Sequence, residues 1–189
     1  MQQLSALTAD EFREWVAAEG RELHESWNGL TLAWYSEEKA RTGSFAALVG
    51  VELSLESDSP SWRAIALGDA CLLHSRRGML LKALPLCRSE CFNSSPVLVA
   101  SDASMHEASM QSVVTGSGTC DDGDVLLLLS DGVASWSLER LEKNDLDPNE
   151  FLLAKHDDEL SKFFDEERSA GRMRNDDIAV VRIEIKQRS

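Results

Sequence analysis

The order of hydrophobic patterns along the chain predicts an α+β fold, with antiparallel sheet and segregated helices rather than βαβ alternation. Three observations carry this reading. A helical period opens the chain, short strand patterns separated by turn residues fill its middle, and helical patterns followed by one alternating strand close it.

The opening helix starts at a capping-box pattern, Thr8 with Glu11, and continues through Phe12, Trp15, Val16, Leu23 and Trp27 at helical spacing. Gly29 is its expected stop, and a shorter helix is predicted over Trp34–Ala40. Ser44–Leu55 then reads as one long buried strand. Residues 61–69, 70–78 and 79–86 follow as strands with turns at Gly68-Asp69 and Arg77-Gly78, and together they predict an antiparallel meander. Residues 87–109 carry Pro96 and several serines and are expected to be irregular; such a segment inside a compact domain often borders a site. Val113–Thr119 and Val125–Ser130 are predicted to pair as a hairpin across residues 120–124. Helices are predicted over Val133–Leu141, Pro148–Leu153 and Asp158–Arg168, with Gly171 as a stop, and a strand over Ile178–Ile185.

A length of 189 residues implies a single domain, 1–189, and 43% hydrophobic residues suffice for a core. The net charge of −14, from 33 acidic and 19 basic residues, disfavours nucleic acid and anionic membranes as partners. No stretch approaches the roughly 18 apolar residues of a membrane span. The first residues lack the basic and apolar regions of a signal peptide, so a cytoplasmic location is expected. Cys71, Cys87, Cys91 and Cys120 show no zinc-ligand spacing and are expected to be reduced thiols.

The residues with the strongest chemical signal are two aspartates. Asp131 ends the apolar run of "GDVLLLLSDGVASW" (123–136), and Asp176 opens "RNDDIAVVRIEI" (174–185). Carboxylates where buried strands end are suited to holding a hard cation, and Asp69 ends the strand before it in the same manner. Gly132 allows the chain to turn sharply into the following helix, whose N-terminus favours negative charge. Capping of that helix is the bland alternative for Asp131, and a solvated turn is the bland alternative for Asp176 and Asp177. Oxygen ligands of this kind suit Mg²⁺ or Mn²⁺ better than zinc. The C-x5-R spacing of Cys71 and Arg77 reads as chance, because the residues between them read as strand. "GSGTCDDG" (116–123) is only loosely like a phosphate loop, and the four histidines read as surface or hydrogen-bonded groups.

Three segments, in order, resemble the metal-dependent protein phosphatases of the 2C type. "AIALGDACLLHSRRGMLLKALPL" (64–86) is similar to that family's "vGDSR" strand pair. Residues 123–136 are similar to its "D-x-LLLASDGLWD" segment, and residues 174–185 to its "SDNITVIVV" strand. Trp34–Ala46 also resembles a "W-Y-x-E-E-K-x-x-x-G-x-F-A" stretch of bacterial 2C-like proteins.

The resemblance implies an αββα sandwich of two antiparallel sheets flanked by helices, incomplete at the N-terminus. It implies hydrolysis of phosphoserine or phosphothreonine by metal-activated water, with a phosphoprotein substrate or a partner kinase. Asp131 and Asp176 correspond to metal ligands, and Asp69 lies behind the direct ligands, with Asp177 and Gly132 beside them. The chain departs from the pattern at Ala70, Ser135 and Asp177, and the early D-G-x-x-G motif with its bridging aspartate has no counterpart before Thr8. Two carboxylates are expected to bind one Mg²⁺ or Mn²⁺ weakly rather than fix two ions about 3.5–4 Å apart. The alternative implied is a catalytically inactive pseudophosphatase that binds a phosphoprotein or kinase. A blander one is an acidic domain with no active centre.

Overall fold

Apolar residues on both faces of neighbouring strands require cover on both sides, and the chain meets this requirement with four layers. The computed structural model describes residues 8–27, 44–56, 59–93, 95–101, 109–145 and 147–186. Helix α1 (Ala9–Trp27) forms the first layer. A three-stranded sheet in the order β2–β3–β7 forms the second, from Leu48–Ser54, Ser61–Leu67 and Val114–Thr119. A four-stranded sheet forms the third, in the order β5 (Met79–Leu84), β4 (Cys71–Arg76), β8 (Asp124–Leu129) and β9 (Val180–Glu184). Helices α2 (Asp131–Lys143), α3 (Pro148–Ala154) and α4 (Asp157–Ser169) form the fourth. Two short strands, β1 (Phe45–Ala46) and β6 (Val99–Ala100), pair separately. Every pairing is antiparallel. The predicted α+β class and the αββα layering are both present.

The period-2 alternation of β3 decides which core each side chain enters. Trp62, Ala64 and Ala66 point between the sheets, where they meet Leu72, Leu84 and Leu126. Ile65 and Leu67 point outward against Phe12 and Val16 of α1. On the far side, Leu73, Leu127 and Leu129 pack against Val133, Trp136 and Phe164. Trp136 and Phe164 meet edge to face, with centroids 5.6 Å apart. Truncating one of these fully buried leucines to alanine would cost about 2–5 kcal/mol.

The capping box forms as the sequence predicts. The Thr8 amide donates to Glu11 Oε2 at 2.8 Å, and the Glu11 amide donates to Thr8 Oγ1 at 3.2 Å. The Arg77-Gly78 turn has positive φ at both positions, 50° and 77°, which suits a two-residue hairpin between β4 and β5. Gly171 follows α4 with φ of 68°. Gly29, the helix predicted over 34–40 and residues 34–43 of the bacterial resemblance lie outside the described residues.

Three expectations are corrected. Residues 44–55 do not form one strand: the pairing breaks at Ala47, where Gly68 packs against it, so β1 pairs with β6 and β2 with β3. The meander is two hairpins in different sheets, because Gly68–Ala70 carries the chain from β3 across to β4. Both of these strands have two buried faces, each being an inner strand of its own sheet. Likewise β7 and β8 do not pair with each other. The apolar run of β8 takes the central place between β4 and β9. β7 carries the glycines that make room for Trp62 and Leu84 beneath the other sheet.

Candidate metal centre

The strand registers bring the sequence-predicted aspartates to one end of the four-stranded sheet. Cys71 pairs with Leu129, so Asp69, two residues before the first, and Asp131, two residues after the second, leave the ladder at the same end. Leu129 also pairs with Val180, which brings the 176–179 segment to that end. Asp131 is the first residue of α2, and Ser130 precedes it as the N-cap. The Ser130 hydroxyl does not cap the helix. It donates to the Asp177 carbonyl at 3.1 Å and accepts from the Ala179 amide at 3.2 Å, and the Ser130 amide donates to the Ala179 carbonyl at 3.0 Å. These bonds tie the two loops together.

Gly68 orients Asp69. Its φ is +94°, and a Cβ there would lie 2.8 Å from the Ala47 Cβ, so no other residue fits the crossing without strain. Gly132 faces Met173 and Asp176: a Cβ at this position would lie 3.8 Å from the Asp176 Cβ. Asp176 accepts from the Asp177 amide at 2.8 Å through Oδ1, and its carbonyl accepts from Arg168 Nη2. Asp69 and Asp131 are half-buried, whereas Asp176 and Asp177 are exposed.

Asp131 and Asp176 both lie close enough to Asp69 to act on its carboxyl. The Asp69 carboxyl is raised above its ordinary value, first by burial and then by the negative charges of Asp131 and Asp176, with Arg174 acting in the opposite direction. Repelling carboxylates of this kind attract a cation, and oxygen donors suit a hard divalent ion. Among the described residues the ligand count is lower than a binuclear centre needs. Among the described residues, no group of three or more His, Cys, Asp or Glu side chains is placed to hold a metal ion. Two carboxylates and water are too few donors for a carboxylate-bridged pair of ions.

Two clefts meet this end of the sheet. One, of about 390 Å³, lies between the sheets beside Asp69 and Asp131 and is walled by apolar side chains that include Val49, Leu128 and Val181. The other, of about 680 Å³, starts at Gly132 and Ser135 and runs along α2 to Arg140 and Lys143, with Arg172 and Arg174 opposite. Sequence reading missed this second cleft. Its signals were Arg140 and Lys143 at i,i+3 on a helix and the alternation of arginine at 172 and 174.

The other candidates resolve simply. Cys71 is fully buried in β4, and burial pushes its thiol up to about 12, so the C-x5-R spacing carries no nucleophile. His74 is buried between the Trp62 indole, which donates to Nδ1 at 3.1 Å, and Asp124, whose Oδ2 lies 3.0 Å from Nε2. Residues 116–119 form strand β7 rather than a phosphate loop. All four cysteines are free thiols, and none of the described helices is long and apolar enough to cross a membrane.

No protein-family model and no curated protein matches the chain. Among solved structures, it is similar to the phosphatase domain of the cell fate determinant SpoIIE from Bacillus subtilis. That likeness has 15% identity and a TM-score of 0.45, over 99% of this chain and 78% of that one. PppA, a key regulatory component of T6SS in Pseudomonas aeruginosa, is similar at 18% identity with a TM-score of 0.41, over 78% of this chain and 56% of that one. The photosystem II phosphatase PBCP is similar at 14% identity with a TM-score of 0.40, over 56% of this chain and 41% of that one. These likenesses are remote.

Proposed function

We propose that the chain is a protein serine/threonine phosphatase domain of the 2C type, which binds phosphoserine or phosphothreonine in a partner protein and hydrolyses it with a divalent ion. One observation carries the reading. Asp69, Asp131 and Asp176 come from three separate segments at a single end of the sandwich, and the charges of Asp131 and Asp176 both act on Asp69. This agrees with the order of motifs that resembles the family.

In this reading Asp131 and Asp176 hold Mg²⁺ or Mn²⁺, while Asp69, Asp177 and Gly132 shape the ground behind them. A bound divalent ion supplies polarisation of a phosphoryl oxygen and a more acidic water. The chain's own part is to gather the carboxylates, with the Ser130 bonds fixing the loops that carry them. Arg174 sets a positive charge close enough to act on Asp69, and in this reading that charge meets the phosphate dianion. We further propose a single domain over 1–189 and a reducing, cytoplasmic location, which suits four free thiols.

A second reading is favoured by the ligand count: a pseudophosphatase that binds a phosphoprotein or a kinase without turning it over. Hydrolysis of p-nitrophenyl phosphate and of a phosphothreonyl peptide, measured with Mn²⁺ for the wild type and Asp131→Ala, separates the two. Slow turnover that Asp131→Ala abolishes supports the enzyme. Phosphopeptide binding without turnover supports the pseudophosphatase, and neither binding nor turnover overturns both the enzyme and the phosphoprotein-binding reading.

A further inference from the structure

The sequence of β9 is that of an inside strand, yet β9 lies at an edge. Val180, Val181 and Ile183 place apolar side chains on both of its faces, a pattern suited to a strand with neighbours on either side. β8 has that pattern and those neighbours, and five of its six residues are buried. Among the described residues β9 pairs with β8 alone, and none of its five residues is buried; Val181 is 53% exposed.

The open edge is regular. Ala179 and Ile185 direct their backbone groups to the β8 side: the Ala179 carbonyl accepts from the Ser130 amide, and Ile185 donates to Asp124 and accepts from Gly123. Every second residue follows them, so the N–H and C=O groups of Val180, Arg182 and Glu184 point away from the sheet. On the helix side of this edge a groove of about 450 Å³ runs between α4 and β9, with Leu160, Phe164, Ile178 and Val180 in its wall. Its arginines, Arg168 and Arg182, are each matched by an aspartate, Asp165 and Asp157, so the groove carries no charge preference. On the other face Val181 lines the apolar cleft between the sheets. The far edge of the sheet differs, because the β4–β5 register shifts at a bulge, a device that twists an edge away from further pairing.

We propose that the β9 edge takes up an extended segment of a partner polypeptide as an added strand, apolar on both of its faces. The row of outward donors and acceptors selects a strand over a helix, because only an extended backbone presents matching groups at that spacing. Apolar surface on both sides of the edge selects apolar residues at consecutive positions rather than in alternation. A second copy of this chain is disfavoured by charge, since each copy carries −14. The inference is independent of whether the aspartate end holds an ion.

The test uses a fluorescein-labelled peptide of valine and isoleucine kept monomeric by lysines at both ends, titrated with the protein in EDTA and followed by anisotropy. Its counterpart N-methylated at every valine and isoleucine should not bind. Amide hydrogen exchange followed by NMR reads the edge directly. In the free protein the Val180, Arg182 and Glu184 amides should exchange fast and those of Val181 and Ile183 slowly, and the peptide should slow the first three. Glu184→Pro removes one outward N–H and no bond to β8, so it should weaken binding about fivefold. Val181→Glu, at an exposed position, should weaken it about tenfold, and circular dichroism melting checks that each variant is folded. Slow exchange at the outward amides of the free protein overturns the proposal. So does equal binding by the N-methylated peptide or by both variants, and so does the absence of saturable binding at millimolar protein. A concentration-dependent dimer that Glu184→Pro abolishes assigns the edge to a second copy and overturns the partner assignment.

Discussion

Arg76 grips Asp124 through two parallel bonds, Nε to Oδ1 at 2.6 Å and Nη2 to Oδ2 at 2.9 Å. Asp124 is fully buried, and its Oδ2 also meets His74 Nε2 at 3.0 Å and the Asp121 amide at 2.9 Å. With Trp62 donating to the other nitrogen of His74, a chain of polar contacts runs from the inter-sheet core to the surface. Arg76 and Asp124 also face each other in the β4–β8 register, so the pair locks that alignment.

Acid should weaken this lock. Burial alone would raise the Asp124 carboxyl, but the Arg76 bonds, the Asp121 amide and His74 together hold it down at about 2. A folded-state value below the unfolded one gives stability that is present above the ordinary value of 3.8 and lost as pH falls through about 2. Arg76 is a quarter exposed, so solvent screening keeps this contribution to about 1–2 kcal/mol. Asp124→Asn should cost about 3 kcal/mol at neutral pH in urea unfolding, and its deficit should narrow between about pH 4 and pH 2. A deficit that stays constant over that window contradicts the assignment.

Gly118 exists for Trp62. The two are register partners, and a Cβ at position 118 would lie 2.7 Å from the indole Nε1. Gly118→Ala should displace the ring that donates to His74 and cost about 1–3 kcal/mol. Gly50→Ala is the control, because its nearest neighbour would be an ordinary contact at 3.7 Å. It should be neutral or slightly stabilising. Equal losses for the two substitutions in denaturant melts would show that strand propensity, not the indole contact, governs both.

Thiol labelling should divide the cysteines in two. Cys87 and Cys91 are exposed, whereas Cys71 is fully buried with its thiol at about 12, and Cys120 is raised too, chiefly by burial. Iodoacetamide at pH 8 should modify Cys87 and Cys91 within minutes and leave Cys71 and Cys120 until unfolding. Peptide mass spectrometry reads this directly, and early modification of Cys71 would mean that β4 is not packed as described.

Local signals in the sequence were reliable where the cause of structure is local. Thr8 and Glu11 announce their helix because the capping bonds span three residues, and Arg77-Gly78 announces its turn because two backbone angles make it. Sheet assignment was not legible. Leu126 and Ala64 read alike as strand residues, and nothing near either shows which sheet will cover it. The aspartates were legible because strand ends carry them, but their convergence depends on the Cys71–Leu129 and Leu129–Val180 registers, which are non-local. The cleft along α2 was hidden for the same reason: Arg140 and Arg174 are far apart in sequence and line one cleft only after α2 packs on the sheet.

Asp69 supplies the sharpest test of the carboxylate cluster. Its carboxyl is raised by burial and by Asp131 and Asp176, so the charged form is disfavoured in the folded state. A raised carboxylate works against stability above its folded value, and the penalty disappears as pH falls below the ordinary value of 3.8. Asp69→Asn should therefore melt slightly higher than wild type at pH 7 in EDTA, by about 1 °C once screening is allowed for, and no higher at pH 3. Mn²⁺ should raise the wild-type melting temperature and narrow the difference, because a cation that neutralises Asp131 and Asp176 also removes the repulsion felt by Asp69. Asp131→Asn should abolish that Mn²⁺ shift. If Mn²⁺ shifts the wild type and Asp131→Asn equally, the ion binds elsewhere, and the three aspartates are a strained loop cluster rather than a metal centre.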